Sequence, residues 1–274
     1  MKEEKANTFW SVQTDQAQDV FLRQELAPGL MLRLLYLRCQ EARVRDLPGQ
    51  DYTCLVYNAG VNALYFCVCD GVGSSYAGDF AASYLARHIV DWLPTLSPEI
   101  FYAPEQLSEF LPALLNTWAQ RAQDALRKHQ YARKDSPLVR EVLSELRDTY
   151  GSETVFFAGR FDMPADPSEP ILALFCWMGN VSAHMLSSSG ERMVVCDASD
   201  DSSRWSTGRG THGHIMLQTM ELYDLQRMLV FTDGMLPLQA DLTTHSDEEL
   251  QQCALETLEQ PQNDDMALLD LNWS

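Results

Sequence analysis

The chain has 274 residues, 46% of them hydrophobic and 22% charged, with a formal net charge of −19. That length allows one large domain with a proper core or two small ones, and the composition is that of an ordinary globular protein. The carboxylate excess would repel a phosphate backbone and so argues against nucleic acid; no apolar run approaches bilayer length, and Met1-Lys2-Glu3-Glu4-Lys5 leads into no signal-peptide core, so no membrane partner and a cytoplasmic location are expected.

Residues 1–28 show no strong period and are expected as an arm, of unread role, packing on a domain that runs over 29–274. Leu30 to Cys39 is apolar and predicts a strand. Tyr52 to Tyr57 predicts another, joined to Leu64–Asp70 through the turn formers Asn58, Gly60 and Asn62. The run Leu64 to Cys69 is continuously apolar or small, as a strand covered on both faces requires, and it ends in Asp70-Gly71-Val72-Gly73. Strand-Asp-Gly is also a common way to end a strand in a turn.

Ala81, Ala82, Leu85, Ile89 and Trp92 recur at helical spacing, predicting a helix from about Tyr76 to Leu93. A second begins at Pro104 and carries an apolar stripe from Leu107 to Leu126, and Leu138 to Leu146 suits a shorter one. Strands are then expected at Val155–Phe161, Ile171–Met178, Ser182–Leu186 and Arg192–Cys196. The polar stretch Asp197 to Gly213 reads as a surface loop or a flap, its His212 and His214 as solvated residues and its Trp205 as an anchor. Strand Met228–Asp233, helix Asp247–Leu258 and strand Met266–Leu271 complete the chain. Strands in two groups with helices between, lacking regular βαβ alternation, predict an α+β fold in a single domain.

Seven cysteines, an odd number mostly inside apolar runs, are expected as reduced core thiols. Cys67 and Cys69 are expected on opposite faces of their strand, which would rule out a zinc knuckle.

The chemistry-bearing signal is recurrence. Met228 to Gly234 is a second apolar strand ending in Asp-Gly, and Asp264-Asp265 opens a last apolar run. A dinucleotide fingerprint would need glycine where Tyr76 stands, and a P-loop lysine is absent. In order along the chain come Pro48-Gly49-Gln50-Asp51, Asp70-Gly71-Val72-Gly73, Gly151-Ser152-Glu153-Thr154, Trp177-Met178-Gly179-Asn180, Phe231-Thr232-Asp233-Gly234 and Asn263-Asp264-Asp265-Met266.

This order resembles the protein phosphatase 2C family of metal-dependent serine/threonine protein phosphatases, in its bacterial form, over roughly residues 30–271. The resemblance implies a β-sandwich of two mainly antiparallel sheets flanked by helices, a four-layer αββα arrangement. It also implies two Mg²⁺ or Mn²⁺ ions: Asp70 bridging both, the Gly71 carbonyl on one, Asp233 and Asp264 completing the other shell, and Asp51 holding metal-bound waters. Hard oxygen ligands suit these ions and not zinc. A metal-activated water would hydrolyse phosphoserine or phosphothreonine in a protein substrate of a serine/threonine kinase, with Arg45, or its neighbour Arg43, binding phosphate.

The departures are specific. Val72 stands where some members carry a histidine, Gln50 where some carry a glutamate ligand, Asn180 where an aspartate usually serves a third, loosely held metal, and Ala267 where Thr or Ser is usual. A neutral Asn180 leaves that third ion in doubt. The alternative function is a catalytically weak, phosphatase-like binding module acting with a partner kinase.

Overall fold

The computed structural model describes residues 9–128, 137–200, 202–260 and 263–273. In chain order these residues form β1 (Phe9–Gln13), β2 (Val20–Ala27), β3 (Leu30–Leu37), the short α1 (Gln40–Arg45), β4 (Tyr52–Asn58), β5 (Ala63–Gly71), α2 (Gly78–Trp92), α3 (Pro104–Lys128) and α4 (Pro137–Thr149). There follow β6 (Glu153–Asp162), β7 (Ile171–Met178), β8 (Ser182–Leu186), β9 (Arg192–Cys196), β10 (Arg204–Ser206), β11 (Gly210–His212), β12 (Met216–Leu222), β13 (Arg227–Phe231), α5 (Asp247–Leu258) and β14 (Met266–Trp273).

The strands make two antiparallel sheets. One holds β1, β4, β5, β6, β7 and β12, with β10 and β11 added at the start of β6; the other runs β2-β3-β14-β13-β8-β9. Alternation along each strand assigns the layers. Leu64, Phe66 and Val68 on β5 meet Leu32, Leu34, Val230 and Leu269 of the second sheet in the central core. Tyr65, Cys67 and Cys69 face the other way, onto Ala82, Leu85 and Ile89 of α2 and Leu111 and Leu115 of α3. Leu35, Phe231 and Leu268 on the far side of the second sheet pack under Leu250 and Ala254 of α5. The architecture is therefore the expected α+β sandwich with helices outside both sheets.

The structure corrects several expectations. Residues 9–27, the described part of the expected arm, supply a strand to each sheet: β1 pairs with β4, and β2 pairs with β3. Their apolar residues alternate with polar ones only on a half-buried edge, so no continuous hydrophobic run announced them. The Asp197–Gly213 stretch is not loop throughout. Trp205 is fully buried, its ring nitrogen donates to the Leu115 carbonyl at 3.0 Å, and β10 pairs with β6 and β11. Cys67 and Cys69, two residues apart, lie on the same face with their sulfurs 3.6 Å apart, because the strand period is two. Both sit in the helix-facing core with Cys176, whose thiol burial pushes up to about 12. Burial of this kind makes a thiol inert.

Among the described residues no helix is long and apolar enough to cross a membrane.

Candidate metal centre at the carboxylate ends of the two sheets

Register brings the carboxylates together. Tyr52 is opposite Cys69 in the β4–β5 pair, so the next position sets Asp51 against Asp70. Both continue the rows whose earlier members, Leu55 on β4 and Leu64, Phe66 and Val68 on β5, fill the space between the sheets. On the second sheet Phe231 is opposite Leu268, and Thr232 extends that ladder by donating its N–H to the Ala267 carbonyl at 3.1 Å. The turn that follows starts at Asp233, while Asp264 and Asp265 immediately precede β14. Asp51 and Asp70 thus come from one sheet, Asp233 and Asp264 from the other.

Electrostatics confirm the convergence. The Asp70 carboxyl is pushed well above its ordinary range by burial and then by the negative charge of Asp233, Asp264 and Asp265, against a hydrogen bond with Asp51 that favours the ionised form. Asp51, 2% exposed, is raised by burial and by Asp70, Asp265 and Asp264, with the Thr232 hydroxyl opposing. Mutual repulsion in a desolvated place is the cause in both cases. A divalent cation would relieve it, and the donors here are all oxygens, so the residues present fit Mg²⁺ or Mn²⁺. Among the described residues no three His, Cys, Asp or Glu side chains stand as a closed ligand group.

The surrounding backbone is fixed by close approach and by buried hydroxyls. A methyl group on Gly71 would lie 2.6 Å from the Gly78 carbonyl oxygen, and one on Gly78 would lie 2.9 Å from the Gly71 carbonyl carbon and from Gln50 Oε1. Only glycine lets the end of β5 touch the start of α2. Ala77, left-handed at φ 58°, is held there by Ser152, whose hydroxyl donates to the Ala77 carbonyl and accepts the Ala81 N–H at 3.0 Å. The Thr154 hydroxyl donates to the Asp70 carbonyl at 2.6 Å. The Gly151 to Thr154 motif therefore braces the loop that carries Asp70.

The remaining expected residues fall as follows. Gln50 packs its side chain between Gly73 and Gly78. Asn180 follows Gly179, whose φ of 82° and tight approach to Val155 exclude a side chain, and its Nδ2 donates to Asp233 Oδ2 at 3.4 Å. Asp264 is exposed, and its Oδ1 accepts the Asp265 N–H at 2.8 Å. Arg45 lies on α1, 65% exposed at its side chain and paired with Glu41 at 2.7 Å, and Arg43 pairs with Asp19 at 2.8 Å. Neither arginine is brought to a carboxylate of the cluster by these contacts.

Three residues with clear roles escaped the sequence reading. Asp265, 2% exposed, accepts the N–H of Cys39 at 2.6 Å and of Gln50 at 2.5 Å. Thr232 donates its hydroxyl to Asp51 Oδ2 at 2.6 Å. Gln16, between β1 and β2, donates to the carbonyls of Gln50 (3.4 Å) and Asp79 (3.1 Å) and accepts the Gly49 N–H at 2.9 Å. Strand parity would have found the first two: Ala267 and Val230 face between the sheets, so residues 265 and 232 do as well.

A cavity of about 500 Å³ lies elsewhere, lined by Arg23, Arg33, Arg227, His245, Asp247 and Asp270. Its guanidiniums are already engaged: Arg33 and Arg227 both bond Asp270 at 2.8 Å and both reach the Leu242 carbonyl. That is a fold-stabilising network.

No family model matches the sequence, and no curated protein does. Solved structures do match the fold. RsbX in complex with magnesium matches at a TM-score of 0.56 and 14% identity, covering 93% of this chain and 100% of that one. The serine/threonine phosphatase Stp1 from Staphylococcus aureus matches at 0.58 and 12%, covering 89% and 94%. A bacterial serine phosphatase matches at 0.54 and 11%, covering 89% and 97%. The fold is that of the bacterial protein phosphatase 2C-type enzymes.

Proposed function

We propose that the chain is a Mg²⁺- or Mn²⁺-dependent protein serine/threonine phosphatase of the protein phosphatase 2C type, acting in the cytoplasm on proteins phosphorylated by a serine/threonine kinase. The observation that carries this reading is the meeting of Asp51 and Asp70 with Asp233, Asp264 and Asp265 at one end of a phosphatase-like sandwich.

In this reading Asp70, the Gly71 carbonyl, Asp233 and Asp264 are the residues whose oxygens would hold the ions, and Asp51 would hold the water beside them. Two such ions, when bound, supply hydroxide at neutral pH and neutralise charge on the phosphoryl group. The chain's own contribution is to hold these oxygens in place. Ser152 and Thr154 fix the loop behind Asp70, and Asp265 fixes the backbone at Gln50. Arg45 is the cation assigned to phosphate: its pair with Glu41 is exposed, so exchanging that partner for a phosphate costs little. With Val72 after Asp70-Gly71, protonation of the leaving serine or threonine oxygen falls to water.

The test is hydrolysis of p-nitrophenyl phosphate and of a phosphothreonine peptide with Mn²⁺, with Mg²⁺ and with EDTA. Turnover that needs the metal and is abolished by chelation is expected. Activity persisting in EDTA, or none with either ion, would overturn the reading.

A further inference from the structure

We infer that Thr232 is the positioning residue for Asp51; this rests on the reading of Asp51 as part of the metal centre. Thr232 is 1% exposed and stands one residue before Asp233. Its N–H donates to the Ala267 carbonyl at 3.1 Å, and its Oγ1 accepts the Ala267 N–H at 2.9 Å, so β14 grips both its backbone and its hydroxyl. A hydroxyl has a single proton to give. With the Ala267 N–H occupying one lone-pair direction, that proton is aimed at Asp51 Oδ2, 2.6 Å away.

The contact joins two sheets. Asp51 immediately precedes β4 in one, and Thr232 immediately follows β13 in the other. Strand pairing fixes only the backbone behind Asp51, so its rotamer is set by side-chain partners, Thr232 among them. Thr232 fixes the rotamer and keeps a lone pair of the buried carboxyl satisfied. Because Thr232 and Asp233 are consecutive, the same segment that offers one ligand also orients Asp51.

Valine has the shape of threonine and lacks the hydroxyl. In the full chain, Thr232→Val is expected to lower Mn²⁺ affinity, read by titration calorimetry, by about 10- to 100-fold, as removal of a hydrogen-bond partner behind a metal site typically does. Thr232→Ser keeps the hydroxyl and is expected to bind as the parent does. Thermal melts run alongside separate this from a general loss of folding. If the valine chain does not fold, Thr232→Cys, a weaker donor of similar size, is expected to show the same direction of loss. A folded Thr232→Val, or in its place Thr232→Cys, that takes up Mn²⁺ as tightly as the parent would overturn the inference and leave the phosphatase reading standing. A parent chain that takes up no Mn²⁺ would overturn both.

Discussion

Asn180 and Asp233 stand in contact at the edge of the carboxylate cluster, amide nitrogen to carboxylate oxygen at 3.4 Å. The neutral amide gives Asp233 a donor where a second carboxylate would give repulsion. Asn180→Asp should therefore lower the melting temperature of the metal-free protein. At millimolar Mn²⁺ or Mg²⁺ the new hard ligand should be neutralised and turnover should rise. Steady-state assays across a metal titration check this; a fall in turnover at saturating metal would show that Asn180 is needed as a donor.

Asp264 and Asp265 are neighbours with opposite consequences. Asp264→Asn changes an exposed side chain, so stability should be nearly unchanged while Mn²⁺ affinity and kcat fall, and Asp233→Asn should lose activity in the same way. Asp265→Asn turns an NH₂ toward the N–H of either Cys39 or Gln50, leaving a buried donor unsatisfied at a cost of about 1–3 kcal/mol. Urea denaturation of the variants decides it; equal stability losses at 264 and 265 would contradict the assignment.

Asp70 is held against its own electrostatic interest. Asp70→Asn removes one of the repelling charges, so the metal-free protein should gain roughly 0.5–2 kcal/mol, in the range of a typical single stabilising change, while phosphatase activity is lost. Denaturation in EDTA measures the first effect. Loss of stability there would mean that the carboxylate is engaged by donors and not strained by its neighbours.

His184, whose ring packs on Phe231, supplies a further pH dependence. Burial, and then the Arg192 guanidinium 2.8 Å from its Nδ1, push its pKa down from 6.5 to about 4. The neutral ring is the form the fold prefers. Its contribution is complete above pH 6.5, where the unfolded chain is also neutral, and is lost as pH falls through about 4. Unfolding free energies at pH 7 and pH 5 should differ, and His184→Gln should remove part of the difference. An unchanged pH slope in that variant would place the dependence elsewhere.

Much of the sandwich is legible in the sequence. The buried strands Leu30–Leu37 and Ala63–Gly71 are apolar but for Arg33 in the first and Asp70 near the end of the second, and α5 begins at a Ser246 with Glu249 three residues on, the reciprocal cap the structure displays. The edge strands β1, β2 and β12 are half buried and mixed in polarity, and their pairing is decided by a partner strand, which local composition does not encode. At the site, Asp51, Asp70 and Asp233 are marked by their place at strand ends. Thr232 and Asp265 act through hydrogen bonds to residues 181 positions and 215 positions away, a relation visible only once the two sheets are laid face to face.

If the carboxylates act as proposed, their division between sheets makes the seam of the sandwich part of the chemistry. Phe66 and Phe157 on one side and Val230 and Leu269 on the other touch no reacting atom, yet their interlocking sets how far one sheet can slide over the other. A slip of roughly 1 Å along that seam would part Asp51 from Thr232 and Asp70 from Asp233, a misplacement that elsewhere costs about 100-fold in rate. The oily middle of this protein is thus its alignment gauge, and a change of packing deep inside it would be read out at the rim as chemistry.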